Sequence, residues 1–420
     1  MHSVVSPQRR SASDTSTVPW PSAGNAAAPA LLRGGVRPSE FEDAADLAMS
    51  DETRRVRVIL VGPGPGTRGG IAQFNAELTR RLRERGASAT ILSYRRTYPA
   101  FVRAGRQGTD PSARQEDVPS DVRLVPWLPW TWAGAATSLR RETPEVVVFQ
   151  WWHPITALSS WYLARRALGA GARVIFVCHN AWPHEGFPLA RRLTRLALRT
   201  AHSLVALSEP VASELKLLLP RMPVSVIPHP PFSALDGTPN SSPDIWRDRI
   251  DAPHDAKIVL FFGTVRAYKG VRDLIDAFPH VAASSNAVLV VAGTFFEPIA
   301  EYRARIDELG LGNSVQLFDE YVPNEEVAPL FELADLVVLP YRSASQSGVI
   351  PLAATFRKPV VATTAGGLPD ALAGAGMVVP PEDPDALGAA IVLALQDPPS
   401  PPPPVEQELW TRWCEAVLSP

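Results

Sequence analysis

The chain has 420 residues, 45% hydrophobic and 20% charged, with a formal net charge of −2 at pH 7. That length exceeds one ordinary core, so two or three globular domains are expected. No apolar run approaches the roughly 18 residues that span a bilayer, no secretory signal survives Pro29 and Arg33, and two cysteines (Cys178 and Cys414) exclude a disulfide framework or zinc site, so a cytoplasmic protein is expected.

Residues 1–52 are rich in Ser, Pro and Ala without a sustained period, and are expected to form a disordered extension. The fold begins at residues 56–61, a short apolar run ending in glycines, which reads as a buried strand. Further strands are expected at 89–94, 146–151, 173–178, 204–207 and 224–228. Helix-length segments such as 71–85 and 189–200 separate most of them, making residues 53–230 a parallel-sheet domain. A Pro-, Ser- and Asp-rich stretch, 231–255, reads as an interdomain linker.

The alternation restarts in residues 256–408. Strands are expected at 258–262, 288–292, 315–318, 336–340, 360–363 and 377–379, with helices opening near Gly270, Pro298, Asn324, Gly348 and Pro384. A proline run at 398–404 leads into a final amphipathic helix at 409–420. The fold class is therefore α/β, with two doubly wound Rossmann-like domains facing across a cleft and ligands at the carboxyl ends of strands. Charge follows the same division. Residues 53–230 hold 25 Lys and Arg against 11 Asp and Glu, and residues 231–420 hold 12 against 25. Such halves either meet different partners or attract each other across the cleft.

Four loops at strand ends carry the chemistry. The first, Gly62-Pro63-Gly64-Pro65-Gly66-Thr67-Arg68-Gly69-Gly70, lets backbone N–H groups and a helix N-terminus approach a phosphate or a hydroxyl-rich ligand. Gly64, Gly66 and Gly69 also spell a dinucleotide pattern. The ribose-binding acid about 20 residues on is missing, however, and Tyr94-Arg95-Arg96 stands there. Arginine suits a 2′-phosphate, so an NADP-dependent oxidoreductase is an alternative reading, beside a glycine turn without ligand. The second loop is Cys178-His179-Asn180, with His184 and Glu185 just beyond. A histidine here can bond a sugar hydroxyl or polarise a reacting oxygen, or be structural.

In the third loop, Phe262 to Gly270, Arg266 and Lys269 lie three apart before a helix. Both charges and the helix dipole can converge on one diphosphate and stabilise it as a leaving group. Only four lysines occur in the chain; a solvated surface pair is the plainer account. In the fourth loop, Ser343, Ser345 and Ser347 precede Gly348 and Val349 at a helix start, where N–H and O–H donors suit phosphate and sugar. Gly366 and Gly367, after the next strand, would keep backbone bulk away from the same site.

In order and spacing these loops, with Pro359-Val360-Val361-Ala362-Thr363 to Gly366-Gly367-Leu368-Pro369, resemble the family-4 retaining glycosyltransferases of the GT-B fold over residues 55–420. The resemblance implies a UDP- or GDP-sugar held mainly by the C-terminal domain, through Gly263, Arg266, Lys269, Tyr321, Ser345, Ser347, Gly348 and Val349. It implies an acceptor on the N-terminal domain, near Gly66, Gly69, Gly70, Asn180, His184 and Glu185, with His179 beside the donor sugar. It further implies that helix 409–420 packs back near the N-terminal domain, and that transfer retains anomeric configuration with no cofactor and no metal. In such front-face chemistry the departing phosphate accepts the acceptor's proton, and the protein supplies positioning and charge.

Two departures stand out. Members carry paired glutamates at the places held here by Ser345 and Ala353, so ribose recognition lacks its usual residue. The arginine that follows the first glycine is Thr264, with Arg266 as its substitute. A non-catalytic sugar-nucleotide-binding protein is therefore a further alternative.

The acceptor is open between a glycan, a lipid-linked sugar and a small molecule, and no nucleic acid is expected. Seven of the eleven tryptophans lie between Trp127 and Trp182, where they can stack on sugars, pack, or meet a membrane interface. Arg191, Arg195 and Arg199 share one helix face with leucines on the other. That pattern lies on an anionic leaflet, or is an ordinary solvated face.

Overall fold

A computed structural model describes residues 55–97, 110, 112, 118–182, 189–230, 244–404 and 408–419; the extension read at 1–52 lies outside them. In chain order the first half contains β1 (Arg57–Gly62), α1 (Gly70–Glu84), β2 (Ser88–Tyr94), β3 (Ser120–Leu124), α2 (Pro129–Glu142), β4 (Val146–Trp151), α3 (Ala157–Gly169), β5 (Arg173–Cys178), α4 (Ala190–Leu198), β6 (Ser203–Ala206), α5 (Glu209–Leu218) and β7 (Val224–Val226). The second half contains α6 (Asp244–Arg249), β8 (Lys257–Phe262), α7 (Val271–Ser284), β9 (Ala287–Ala292), α8 (Ile299–Glu308), β10 (Val315–Phe318), α9 (Asn324–Leu333), β11 (Leu336–Leu339), α10 (Val349–Thr355), β12 (Val360–Thr363), α11 (Leu368–Leu372), β13 (Met377–Val379), α12 (Pro384–Gln396) and α13 (Glu408–Leu418).

The strands form two sheets, ordered β3-β2-β1-β4-β5-β6-β7 and β10-β9-β8-β11-β12-β13, and every pairing is parallel. Helices on both faces require central strands that are apolar throughout. β4 (VVVFQW) and β9 (AVLVVA) are accordingly buried at every position. Strand order reverses between β1 and β4 in one sheet and between β8 and β11 in the other. Ligand crevices of open α/β sheets form at such reversals, outside the carboxyl ends of the strands. The glycine loop after β1 and the loops after β8 and β11 all start there.

Two features depart from the sequence reading. β3 was not foreseen: its SDVRL run is mostly exposed at a sheet edge, so it lacks the apolar signal of a covered strand. The stretch read as a linker contains α6, whose Trp246 is fully buried, donates to the Glu326 carbonyl at 3.1 Å and meets Phe318 edge-on. One tryptophan among polar neighbours has no period, and only its tertiary pocket makes it an anchor. Helix α13 packs on the first half of the chain. Trp410 and Trp413 close over Phe74 of α1 with ring centroids 5.7 and 4.9 Å away, and Trp413 donates to the Pro228 carbonyl.

Candidate active site

Two adjoining cavities open between the switch points. The first, of about 220 Å³, is walled by Phe262, Val322, Val327 and Leu352, with Lys269 and the backbone of Gly263 and Gly348. The second, of about 230 Å³, is lined by Arg68, Thr97, Trp152, Arg266 and Phe296. Gly69, Gly70, Thr264, Thr294 and Tyr321 line both, so the cavities meet there. No Asp or Glu is among the described residues lining either one.

Lys269 ends a short 3₁₀ turn, Ala267–Lys269, just before α7. Its ammonium lies 5.1 Å from the Tyr341 ring centroid. Gly263, at φ +113°, leaves open the space in front of it, where a Cβ would stand 3.5 Å from Nζ. Burial pulls the Lys269 pKa below the ordinary lysine value. Tyr268 opposes that fall and Arg266 adds to it, with no carboxylate among these influences. A desolvated cation facing a cavity is arranged to receive an anion.

Arg266 is placed differently. It precedes the turn in extended conformation, and its guanidinium carbon lies 4.0 Å from the Phe296 ring centroid. The sequence reading aimed both cations at one diphosphate. Lys269 is turned toward Gly263 and lines the first cavity, while Arg266 lies along Phe296 and lines the adjoining one, near enough to lower the Lys269 pKa.

The serine loop is mostly internal architecture. Ser347 is buried, accepts from the Val349 N–H at 3.2 Å and lies 3.4 Å from the Tyr341 hydroxyl, whose pKa burial pushes up to about 12. The Ser345 carbonyl accepts from Ser208 Oγ at 2.7 Å. Neither serine is among the described residues lining these two cavities, whereas Gly348 and Val349 line the first. Gly366 and Gly367 pack against this loop, Gly367 with a Cβ position 2.8 Å from the Ser345 carbonyl oxygen. Gly366 has φ +53°, and a Cβ there would fall 1.6 Å from the Ala344 carbonyl oxygen.

On the opposite wall Gly69 caps α1 at φ +116° without a side-chain cap, and no acid occupies the first helical turn. The orphan N–H groups of that turn therefore end at the boundary of the two cavities. Gly66 lines neither; its carbonyl accepts from the Asp110 N–H at 2.9 Å. His179 and Asn180 also line neither cavity. His179 is buried, bonds Gln150 Oε1 through Nε2 at 2.8 Å, and meets Phe74 edge-on. Burial, helped by His229, lowers its pKa to about 3, so its imidazole is neutral at neutral pH. His184 and Glu185 lie outside the described residues.

A polar seam crosses the cleft. Gln73 Nε2 donates to Asn324 Oδ1 at 2.6 Å, the Tyr321 hydroxyl donates to Asp110 Oδ2 at 3.1 Å, and the Asn324 N–H donates to Ser112 Oγ at 2.9 Å. Burial first, then the Asp110 carboxylate, raises the Tyr321 pKa and keeps that hydroxyl a donor. Sequence reasoning missed Gln73, Asn324, Asp110 and Ser112. Gln73 had a usable signal, a polar residue one turn after the glycine start of α1. The others carried none. Of the clustered tryptophans, Trp152 alone lines one of the two cavities; Trp151 is core.

Two Rossmann-like domains with switch points turned toward one cleft define a protein of the GT-B class. Comparison with known proteins agrees. Residues 68–230 match the model of Glycosyltransferase Family 4, and residues 256–397 match that of Glycosyl transferases group 1. Between them the two models take in most of the chain, and the chain belongs to the family-4, group 1 glycosyltransferases.

A D-inositol 3-phosphate glycosyltransferase of Corynebacterium glutamicum is 32% identical over 162 residues, 36% of this chain and 38% of that protein. An uncharacterised glycosyltransferase of Methanocaldococcus jannaschii is 30% identical over 159 residues, 36% and 39% of the two chains. The chain thus spans about two fifths of the length of these curated relatives. Among solved structures, sucrose-phosphate synthase from Thermosynechococcus elongatus superposes with a TM-score of 0.64 at 17% identity, covering 86% of this chain and 95% of the other. Anabaena HepE, crystallised with UDP and glucose, gives the same score, identity and coverage. At such identity the likeness is one of fold.

Proposed function

We propose that the chain transfers a sugar from a nucleoside-diphosphate sugar to an acceptor hydroxyl, with retention of configuration and without a metal. The observation that carries this reading is Lys269, a cation desolvated by burial, in a switch-point cavity that faces the uncapped N-terminus of α1. Val322, Val327 and Leu352 offer apolar cover for a nucleobase. Lys269 and the first turn of α1 take the diphosphate. Solved structures of Anabaena HepE are complexes with UDP and glucose and with UDP-glucose, which favours a UDP-type donor.

The acceptor occupies the second cavity, and transfer takes place at the shared boundary near Gly69, Gly70 and Thr264. The bond from the anomeric carbon to the donor phosphate oxygen breaks, and its electron pair leaves with the nucleoside diphosphate. The acceptor oxygen bonds that carbon on the same face, and its proton passes to the departing phosphate oxygen. Positioning and charge stabilisation drive such a step. His179, neutral and buried, supports the wall through Gln150 and Phe74.

No helix among the described residues is long and apolar enough to cross a membrane. Arg191, Arg192, Arg195 and Arg199 are exposed along α4, next to the exposed Leu189, and a peripheral contact of this basic face with an anionic leaflet is part of the proposal.

Calorimetric titration with UDP, GDP, ADP, dTDP and NADPH, followed by transfer and hydrolysis assays with the matching sugar nucleotides, tests the reading. One nucleoside diphosphate should bind saturably and its sugar should turn over. Saturable NADPH binding with none by any diphosphate overturns it in favour of the oxidoreductase. Tight donor binding without turnover over the acceptor panel would mark a non-catalytic sugar-nucleotide-binding protein.

A further inference from the structure

We infer that Ser208 is a positioning residue of the donor site: its hydroxyl, supplied by the first half of the chain, sets the loop that brings Gly348 and Val349 to the donor cavity. The inference rests on the transferase reading above and names a residue through which that site is shaped.

Ser208 follows β6 and stands at the N-cap of α5 in extended conformation. A serine at that place ordinarily accepts from an N–H in the first turn of its own helix. Ser208 makes no such cap bond. It is buried, and its Oγ instead donates to the Ser345 carbonyl, 137 residues further along the chain, at 2.7 Å. The hydroxyl thus serves a distant loop rather than the helix it begins.

The packing around this contact is fitted to it. Gly367 has φ −88°, a value open to any residue, so its backbone does not call for glycine. A Cβ on it would stand 2.8 Å from the Ser345 carbonyl oxygen and 3.1 Å from the Ser208 Cβ. Glycine is required because the loop, the start of α5 and the start of α11 converge there.

From Ser345 the loop reaches the donor cavity in both directions. Toward α10, Ser347 Oγ accepts from the Val349 N–H at 3.2 Å, and Gly348 and Val349 line the cavity that holds Lys269. Toward β11, the Arg342 and Ser343 N–H groups donate to the carbonyl of Tyr268, the neighbour of Lys269, at 2.8 and 3.3 Å. Tyr341 lies under the Lys269 ammonium, 5.1 Å from ring centroid to Nζ, and its carbonyl accepts from Thr363 Oγ1 at 2.5 Å. One loop therefore joins the cavity lining at one end to the turn of the diphosphate cation at the other. Ser208 fixes its middle from the opposite half of the chain. Ser208 is not among the described residues lining either cavity, so it acts through the loop. A shift of about 1 Å in groups so placed costs roughly 100-fold in rate.

The test uses the full chain, with UDP for affinity by calorimetry and UDP-glucose for hydrolysis and transfer; GDP and GDP-mannose replace them if the nucleotide panel above selects guanine. Ser208→Ala should lower kcat by roughly 10- to 100-fold while KM and the UDP affinity change less than about 3-fold, because the groups that hold the diphosphate stay in place. Its melting temperature should stay near wild type, since no helix cap is lost. Ser208→Thr keeps the donor and should restore most of kcat. Gly367→Ala presses a methyl group into the same contact and should lower kcat in the same way. The double variant Ser208→Ala/Gly367→Ala should be no slower than the slower single variant, as expected of two residues that act through one contact. A Ser208→Ala chain that melts lower but keeps wild-type kcat would assign the bond to folding alone and overturn the inference, as would fully additive losses in the double variant. Failure of the wild-type chain to bind any nucleoside diphosphate, or to turn over any sugar nucleotide, sinks the transferase reading instead, so the two failures are distinct.

Discussion

Replacing Lys269 by Met keeps an apolar stem over Tyr341 and removes one charge, and its consequences run in opposite directions for stability and for binding. In the empty protein the charged Lys269 is disfavoured, since burial holds its pKa below the ordinary value. The unfolded chain therefore binds this proton more readily than the folded one. Stability rises with pH between the folded and unfolded pKa values, and at neutral pH the charge costs stability. Lys269→Met should thus melt at the wild-type temperature or slightly above.

With donor bound the sign reverses. A unit charge about 4 Å from a phosphate oxygen at an effective dielectric near 20 is worth about 4 kcal/mol, and loss of a single preorganised donor to a developing anion costs roughly 2.7–4 kcal/mol. Turnover should fall about 10²-fold or more. At a UDP concentration of 100 times the wild-type Kd, ligand stabilises the wild type by about 2.7 kcal/mol; a 100-fold weaker variant gains only about 0.4 kcal/mol. Differential scanning calorimetry with and without UDP measures both effects on one sample. A variant that melts several degrees lower without ligand would assign Lys269 a structural role. Unchanged ligand stabilisation would remove it from the donor site.

Gly366→Ala should cost at least about 1–2 kcal/mol from the left-handed backbone alone, and more from the Ala344 carbonyl in its way; urea denaturation that matches wild type would refute the packing role given to this glycine. His179 and His229 have pKa values lowered to about 3 and 4, in each case chiefly by burial, so between pH 6.5 and those values the unfolded chain binds more protons and stability falls as pH drops. His179→Gln should flatten that acid limb in a plot of urea midpoint against pH, and an unaltered limb would show that the histidine ionises without penalty. Changing Arg191, Arg195 and Arg199 together to Ser should abolish salt-sensitive sedimentation with anionic vesicles; wild-type protein that stays in the supernatant with anionic and neutral vesicles alike would rule out the peripheral contact.

The sequence by itself determined the architecture. Unbroken apolar runs such as Val146 to Trp151 can be satisfied only by a sheet covered on both faces, and glycines after them mark the strand ends where ligands gather, so the two domains and their loops were legible. Elements that lack a period of their own were not. β3 is an exposed edge strand, and Trp246 becomes an anchor only because Phe318 and the Glu326 carbonyl surround it. Inside the site, local sequence named Arg266 and Lys269 but could not separate them, because three residues of spacing do not say which way a turn sends each side chain. Their division between two cavities, the burial of His179 under Gln150 and Phe74, and the seam from Gln73 to Asn324 depend on contacts between distant parts of the chain. Such contacts exist only once the domains pack against each other, and they leave no mark in the spacing of residues along one loop.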